Sequence, residues 1–283
     1  MFAMPAQAYS LRDYYFTSIG VGMRSMGSRF RREAAARIVN PLSYPRLIEY
    51  ELTIGPLGPL DGLRVLDIGS PKLPALLIAR ESSCELYATD IRDYFIGATA
   101  QFLRSLGQGS RLGHDLHLEV QDARELTYAD EFFDRIFSIS VLEHIPDDGD
   151  SAAVRDIARV LKPGGVFTLT VPFAAAGYRE EFVRGPVYER DEMDQLTFYQ
   201  RHHDLQSLQS RLIQPSGLEL VNMTFFGEPR VPFERYWNRI SMKWKAPLLW
   251  AQPFLARLFL KQLREDQIQS ACGVAVVLRK STS

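Results

Sequence analysis

An excess of charge is the first thing this 283-residue chain lacks: 33 lysines and arginines stand against 34 aspartates and glutamates, a formal net charge of -1. No global field draws it to nucleic acid, and no nucleic-acid partner is expected. Cysteine is scarce. Cys84 and Cys272 are too few for a disulfide framework or a thiolate metal cage, and they read as buried thiols inside strands in a reducing compartment. No run of ~18 apolar residues occurs, so no membrane-spanning helix is expected. The opening MFAMPAQAYSLRDYYF lacks a basic start followed by an apolar core, so no signal peptide is expected, and the location read from this is cytoplasmic. There is no repeat and no low-complexity tract. What remains is ordinary for a globular protein: 46% hydrophobic and 24% charged residues, in a length that suits one large α/β domain with appendages or two small domains.

The organising stretch is LRVLDIGSPKLPALLIARESSCELYATD, Leu63 to Asp90. Val65, Leu66 and Ile68 form a short apolar run closed by Gly69, which reads as a buried strand. Leu73 to Arg80 has helical spacing, and Leu86, Tyr87 and Ala88 begin a second strand ending in Asp90. Two parallel strands joined by a helix place Gly69 and Asp90 on one sheet edge, the edge where ligands lie in open α/β sheets. Asp90 follows Asp67 at about the spacing of an acid that contacts ribose hydroxyls. The turn D-I-G-S-P-K-L keeps one glycine where a dinucleotide turn carries three. That leaves little room for a pyrophosphate, and a ligand without phosphates is less demanding.

The pattern continues downstream. Arg92 to Leu106 reads as a helix ended by Gly107. Leu116, Leu118 and Val120 alternate as a third strand running into Gln121-Asp122-Ala123. FDRIFSIS, Phe133 to Ser140, is a fourth strand leading into VLEHI. Asp147 to Asp150 offer caps for a helix over Ala152 to Leu161, stopped by Lys162-Pro163-Gly164-Gly165, and Val166 to Val171 is a fifth strand. Taken together, VLDIG, the strand ending TD, QDAREL, FDRIFSISVLEHI and ARVLKPGGVFTLTVP resemble the class I S-adenosylmethionine-dependent methyltransferases, in particular their small-molecule group. The resemblance covers about residues 60 to 173. Pro71 and Leu73 depart from it, standing where that family usually has glycine.

The resemblance implies a Rossmann-like fold: a seven-stranded, mostly parallel sheet with the last strand antiparallel, and helices on both faces. It implies S-adenosyl-L-methionine as cofactor. By motif match, Asp67 organises the turn and holds the methionine amine electrostatically, while Gly69 and Ser70 supply close backbone. Asp90 accepts the ribose hydroxyls, Ile91 packs on adenine, Asp122 and the Ala123 amide meet the adenine ring, and Ser140 and Val141 border the methionine.

Residues 1–60 read as an N-terminal helical cap and 61–283 as the methyltransferase domain. The cap holds one helix over Phe30 to Ile38 and a second from Tyr44 to about Ile54, with Ser43 as its N-cap. The cluster Arg24, Arg29, Arg31, Arg32, Arg37 reads first as a solvated helix face. Residues 174–203 form a long connection at the ligand edge whose aromatics Tyr188, Phe198 and Tyr199 are expected to line an acceptor pocket. Leu205 to Ile213 reads as a helix, Leu218 to Phe226 as a sixth strand and Cys272 to Leu278 as a seventh. Between these two strands, an insert over 227–270 carries Trp237, Trp244, Trp250 and several cations. Its apolar face is read as packing on the core or on a second subunit of a homodimer, or, through 235–264, as meeting a membrane or a lipid-like substrate.

For a proton acceptor the candidates are His144, just past the fourth strand, and His202 and His203 at the end of the pocket loop. His114, Asp115 and His117 straddle a loop and a strand start, and no metal site is assigned. The reaction expected is methyl transfer to a small or lipophilic acceptor, with O-, N- or C-methylation left open. The rivals are a cofactor-binding protein with a cyclase-like or non-catalytic role and an NAD-dependent oxidoreductase. A nucleic-acid methyltransferase is disfavoured, since no N-P-P-Y-type tetrad follows the fourth strand.

Overall fold

The computed structural model describes residues 9–185 and 196–282. Its centre is an eight-stranded sheet in the order β3-β2-β1-β4-β5-β10-β8-β9. The strands are β1 Arg64–Ile68, β2 Glu85–Asp90, β3 Leu116–Val120, β4 Phe133–Ile139, β5 Leu161–Pro172, β8 Glu219–Gly227, β9 Lys261–Gln262 and β10 Ala271–Arg279, while β6 Arg179–Arg184 and β7 Leu196–His202 form a separate hairpin. β1 to β5 pair in parallel, and β10 runs antiparallel between β5 and β8. The expected antiparallel last strand is therefore present. The sheet has one strand more than expected because the two residues of β9 add to the β8 edge.

Alternation along the strands assigns the two faces. Val65, Leu86, Ala88, Phe137 and Ile139 point to one core with helices α1 Leu11–Ser25, α2 Arg31–Val39, α3 Arg46–Ile54, α4 Leu73–Glu81 and α5 Asp93–Ser105. Leu66, Tyr87, Ile136, Leu169 and Val276 point to the other, which is covered by α6 Gly149–Val160 and the helical run 205–216. The cap thus shares a core with the sheet. Tyr14 is fully buried, its ring 4.9 Å from that of Tyr50. Burying side chains such as Leu76, Leu77 and Ile78 on α4 stabilises the fold by about 1.5–3 kcal/mol each.

Several local expectations are corrected. Helix α1 was not anticipated, although Ser10 and Asp13 form a reciprocal cap: the Ser10 amide donates to Asp13 Oδ2 (2.8 Å) and the Asp13 amide to Ser10 Oγ (3.3 Å). Helix α3 begins after Pro45, and no side chain caps it, so Ser43 is not its cap. Asp148 precedes α6 without capping it and pairs with Arg211 (3.2 Å), and Asp150 turns to Arg211 and Arg201. The helix after β7, expected over Leu205 to Ile213, runs on through Pro215. That helix passes through a π-helical stretch, Leu208–Ile213, and stops at Gly217, whose φ of +64° closes it. Cys84 lies one residue before β2; Cys84 is buried, Cys272 half-buried, and both are free thiols. The insert is helical as expected, with segments Phe233–Arg239, Met242–Lys245 and Gln252–Phe259, and it packs on Tyr44, Ile48 and Leu52 of the cap. No helix among the described residues is long and apolar enough to cross a membrane.

Candidate functional site

The carboxyl ends of β1, β2 and β4 open into a cavity of about 650 Å³. Its floor is the turn after β1. Gly69 sits at φ +61°, and a Cβ there would come within 3.0 Å of Val141 Cγ1, so only glycine fits without displacement. Its amide donates to Thr89 O (3.1 Å), stitching the turn to β2. Ser70, Asp90, Ile91, Asp122, Ala123, Ser140 and Val141 all line this cavity, so seven of the nine expected cofactor contacts stand with Gly69 around one space.

Asp67, the ninth, does not reach the lining. It is fully buried beneath the turn, where Oδ1 accepts the Ser70 amide (3.1 Å). Lys72, which sequence reasoning passed over, is buried between the two acids. Its Nζ donates to Thr89 O (2.6 Å) and lies 3.5 Å from Asp67 and 3.7 Å from Asp90. Burial raises the pKa of both carboxyls, and the Lys72 cation opposes the rise. Asp122 holds Arg124 in a two-pronged ion pair (2.6 Å at the closest approach). The roof comes from the cap: Arg37, Asn40, Leu42, Arg46 and Tyr50 line the same space. Arg37 lies over the Phe102 ring, 4.6 Å from its centroid, and so departs from the solvated arginine face expected of its cluster.

A second cavity, of about 950 Å³, adjoins the first, and Arg46, Ser140, His144 and Tyr199 line both. Its walls include Val171, Phe173, Ala174 to Ala176 and Phe226. At the seam, Ser140 takes φ +51°, an uncommon conformation for a serine, and its Oγ donates to Glu49 Oε1 (2.8 Å). Glu49 Oε2 holds Arg46 Nη1 (2.6 Å). Glu143 is buried beside them with Oε2 lacking a hydrogen-bond partner. Burial, aided by the nearby Glu49 carboxylate, pushes its pKa from 4.5 up to about 8. Sequence reasoning missed it, although its place beside His144 past β4 was a usable signal.

The three histidines separate. His144 is on both cavities. Tyr199 O can only accept, so Nδ1 donates to it (2.7 Å), which leaves Nε2 facing Glu143 Oε1 at 3.8 Å; burial lowers its pKa. His202 lines the second cavity, 3.3 Å from Glu181, and burial lowers its pKa too. His203 is on neither lining. Its ring is fully buried and its pKa falls to about 4, so the expectation that it faces an acceptor is not met. Of the expected pocket aromatics, Tyr199 lines both cavities. Phe198 packs under Arg201 and against Phe182 instead, and Tyr188 lies outside the described residues.

One consequence is testable by stability alone. The folded state raises the Glu143 pKa, so the stability tied to its protonated form is complete below about pH 4.5 and is lost as pH rises through about 8. Glu143→Gln has no such ionisation. Its thermal midpoint should overtake that of the wild type progressively between about pH 5 and 9. Parallel midpoint curves would show that Glu143 is not buried as described.

Residues 66–169 match a family model described as a methyltransferase domain. Methyltransferase GfsG of Streptomyces halstedii is 35% identical over 105 residues, covering 37% of this chain and 36% of the relative. Sterol 24-C-methyltransferase erg6 of Aspergillus fumigatus is 30% identical over 112 residues, 39% of this chain and 28% of the relative. The chain thus spans about a third of the length of these curated relatives. Across the whole chain, the crystal structure of the cyclase SpnF superposes with a TM-score of 0.53 at 18% identity, covering 100% of this chain and 99% of that one, and this is a likeness of fold. The matched segment, with the sheet order around it, identifies residues 66–169 as a methyltransferase domain of the class I S-adenosylmethionine-dependent type.

Proposed function

We propose that this protein transfers a methyl group from S-adenosylmethionine to a small, lipophilic acceptor. The observation that carries the reading is the seam. A cavity with acids at strand ends and a glycine floor meets a second cavity, one stretch of whose wall is apolar, along Arg46, Ser140, His144 and Tyr199. The residues fit the cofactor: the bare Gly69 floor admits close approach, and about 650 Å³ lies within the usual range for such ligands. Bound there, the cofactor supplies an electrophilic methyl on a sulfonium. Asp90 accepts the ribose hydroxyls, Ile91 packs on the adenine, Asp122 and the Ala123 amide meet its edge, and Gly69 and Ser70 offer backbone to the methionine. Asp67 acts through charge from below. Ser140 and Val141 border the reacting end, and the cap roof excludes water, which matters because alignment does most of the work in such a displacement.

The sterol-modifying relative supports a lipophilic acceptor. So does the insert, where Trp244, Trp250, Phe254 and Leu258 are exposed beside Arg239, Lys243, Lys245 and Arg257. This is the composition of an interfacial element, and we assign it to an anionic lipid surface, with the protein otherwise in the cytoplasm. Sedimentation with anionic liposomes, absent with neutral ones, is the expected result. A dimer that hides the tryptophans would assign the face to a second copy.

The reading is tested by calorimetry with S-adenosylhomocysteine and by transfer of a labelled methyl from S-adenosylmethionine into a lipid extract. Binding with label transferred is expected. Binding without release of S-adenosylhomocysteine would favour a cyclase-like role, and no binding would end the reading.

A further inference from the structure

We propose that the second cavity takes a neutral, largely apolar acceptor bearing a hydroxyl group, and that Glu143 is the catalytic residue that receives its proton. The inference rests on the methyl-transfer reading and names its substrate class.

Three observations converge. First, one stretch of the wall, Val171, Pro172, Phe173, Ala174 to Ala176, Phe226 and Gly273, is apolar and faces a polar remainder, which suits an apolar body that carries a polar group. Second, its charged groups disfavour an anion. Three carboxyls, Glu49, Glu143 and Glu234, line it; of the cations on its lining, Arg46 is held by Glu49, the His202 ring by Glu181, and Arg179 is exposed to solvent. An acceptor carrying a carboxylate or phosphate would set a negative charge beside the Glu49 carboxylate and against the buried Glu143, whose ionisation burial already opposes. Third, Glu143 is 1% exposed, lines this cavity and has Oε2 without a partner. A buried carboxyl oxygen left unpaired is costly, and a donor brought in by a ligand removes that cost. A hydroxyl is such a donor.

The neighbours explain why Glu143 and not another acid. Glu49 has both oxygens engaged, by Ser140 and Arg46. Glu234 is farther round the wall, its pKa raised by burial and by Glu228. His144 points Nε2 at Glu143. The groups facing Glu143 are Arg46 and Glu49 from α3 and His144 from the turn after β4; Glu234, Arg179 and His202 complete the charged groups around the cavity. With its pKa at about 8, Glu143 takes a proton in the fraction of molecules in which it is ionised, a fraction that grows as pH rises towards about 8. Glu143 accepts the hydroxyl proton as the acceptor's O–C bond forms. The C–S bond of the sulfonium donor breaks with its electron pair left on sulfur, so the products are a methyl ether, a neutral thioether and a protonated Glu143.

The experiment uses the full chain, loaded with S-adenosylhomocysteine, and two probes that share one aromatic body. Naphthol should bind and naphthoate should not, and Glu143→Ala should weaken naphthol binding by about tenfold or more, the scale of one hydrogen bond to a carboxylate. Glu143→Gln should bind S-adenosylhomocysteine as the wild type does. With a trideuteromethyl donor and a lipid extract, the wild type should place label in neutral ethers, and Glu143→Gln should lose at least about a hundredfold of that rate. Naphthoate binding as tightly as naphthol, no naphthol binding, label in amines, esters or carbon, no label at all, or an undiminished Glu143→Gln rate would each overturn the proposal. If the wild type does not bind S-adenosylhomocysteine, the methyl-transfer reading itself fails, which is a separate result.

Discussion

Replacing Arg201 by methionine should destabilise the protein by about 3–5 kcal/mol, the usual cost of removing one partner from a buried ion pair. Arg201 and Asp150 are both fully buried, with Nη1 3.3 Å from Oδ2. Nη2 also donates to Asp147 O (2.8 Å), and the guanidinium lies 4.8 Å from the Phe198 ring centroid. Asp150 is in turn held by Arg211 (2.8 Å and 2.9 Å) and by the Ser151 amide (2.8 Å). The network therefore ties the β6–β7 hairpin to the turn after β4, the start of α6 and the π-helical stretch. Methionine matches the length of the stem but takes one donor each from Asp150, Asp147 O and Ile145 O, the last of which Arg201 Nη1 also holds. A chemical-denaturation midpoint within error of the wild type would show that the network contributes nothing. Because the hairpin carries Tyr199 and His202 to the second cavity, binding in that cavity should weaken even at temperatures where the variant is folded.

That network also marks what could not be read from the chain. An arginine with no exposed surface contradicts the ordinary expectation for its type, and nothing local to Arg201 signals the partners that make burial tolerable. The hairpin has the same difficulty, since its two strands are separated by residues 185–195 and neither alternates cleanly between apolar and polar positions. The β strands of the sheet were legible for the opposite reason. β1, β2, β4 and β5 each hold a short apolar run followed by a residue that breaks or turns the chain, β3 alternates, and Gly69, Asp90 and Asp122 fall at or just past such ends; β9, two polar residues, carries no such signal. The site was legible as far as it depends on strand ends. It was illegible where a residue reaches in from elsewhere: Arg37, Arg46, Glu49 and Tyr50 come from helices whose sequence shows only amphipathic spacing. Lys72 reads as a solvated residue before a helix, and only the closeness of β1 and β2 turns it inward. Glu143 was readable in principle, being adjacent to His144, but a glutamate on a turn ordinarily points to water.

Asp90→Ala should lower the affinity for S-adenosylhomocysteine by about a hundredfold, the combined scale of two hydrogen bonds to a carboxylate from adjacent hydroxyls. The carboxylate also works within the fold. Oδ1 accepts the Arg92 amide (3.1 Å), and Oδ2 lies 3.7 Å from Lys72. A loss of affinity could therefore come from a shifted turn instead of lost ribose contacts, and the two causes must be separated. Lys72 keeps Thr89 O and Asp67 in the variant, so its burial is not abandoned and the thermal midpoint of the unliganded protein should fall only modestly. The decisive measurement is a cycle pairing the variant with an analogue of S-adenosylhomocysteine that lacks both ribose hydroxyls. If Asp90 acts on the ribose, the wild type should lose about the same hundredfold with the analogue, and the variant should bind the two ligands almost equally. If Asp90 acts only by shaping the turn, the penalties should multiply, and the assignment of the ribose to the end of β2 would fall. The partial case, Asp90→Asn, keeps one acceptor and loses the charge. It should sit between the two, because a neutral amide returns about half the strength of a charge-assisted bond.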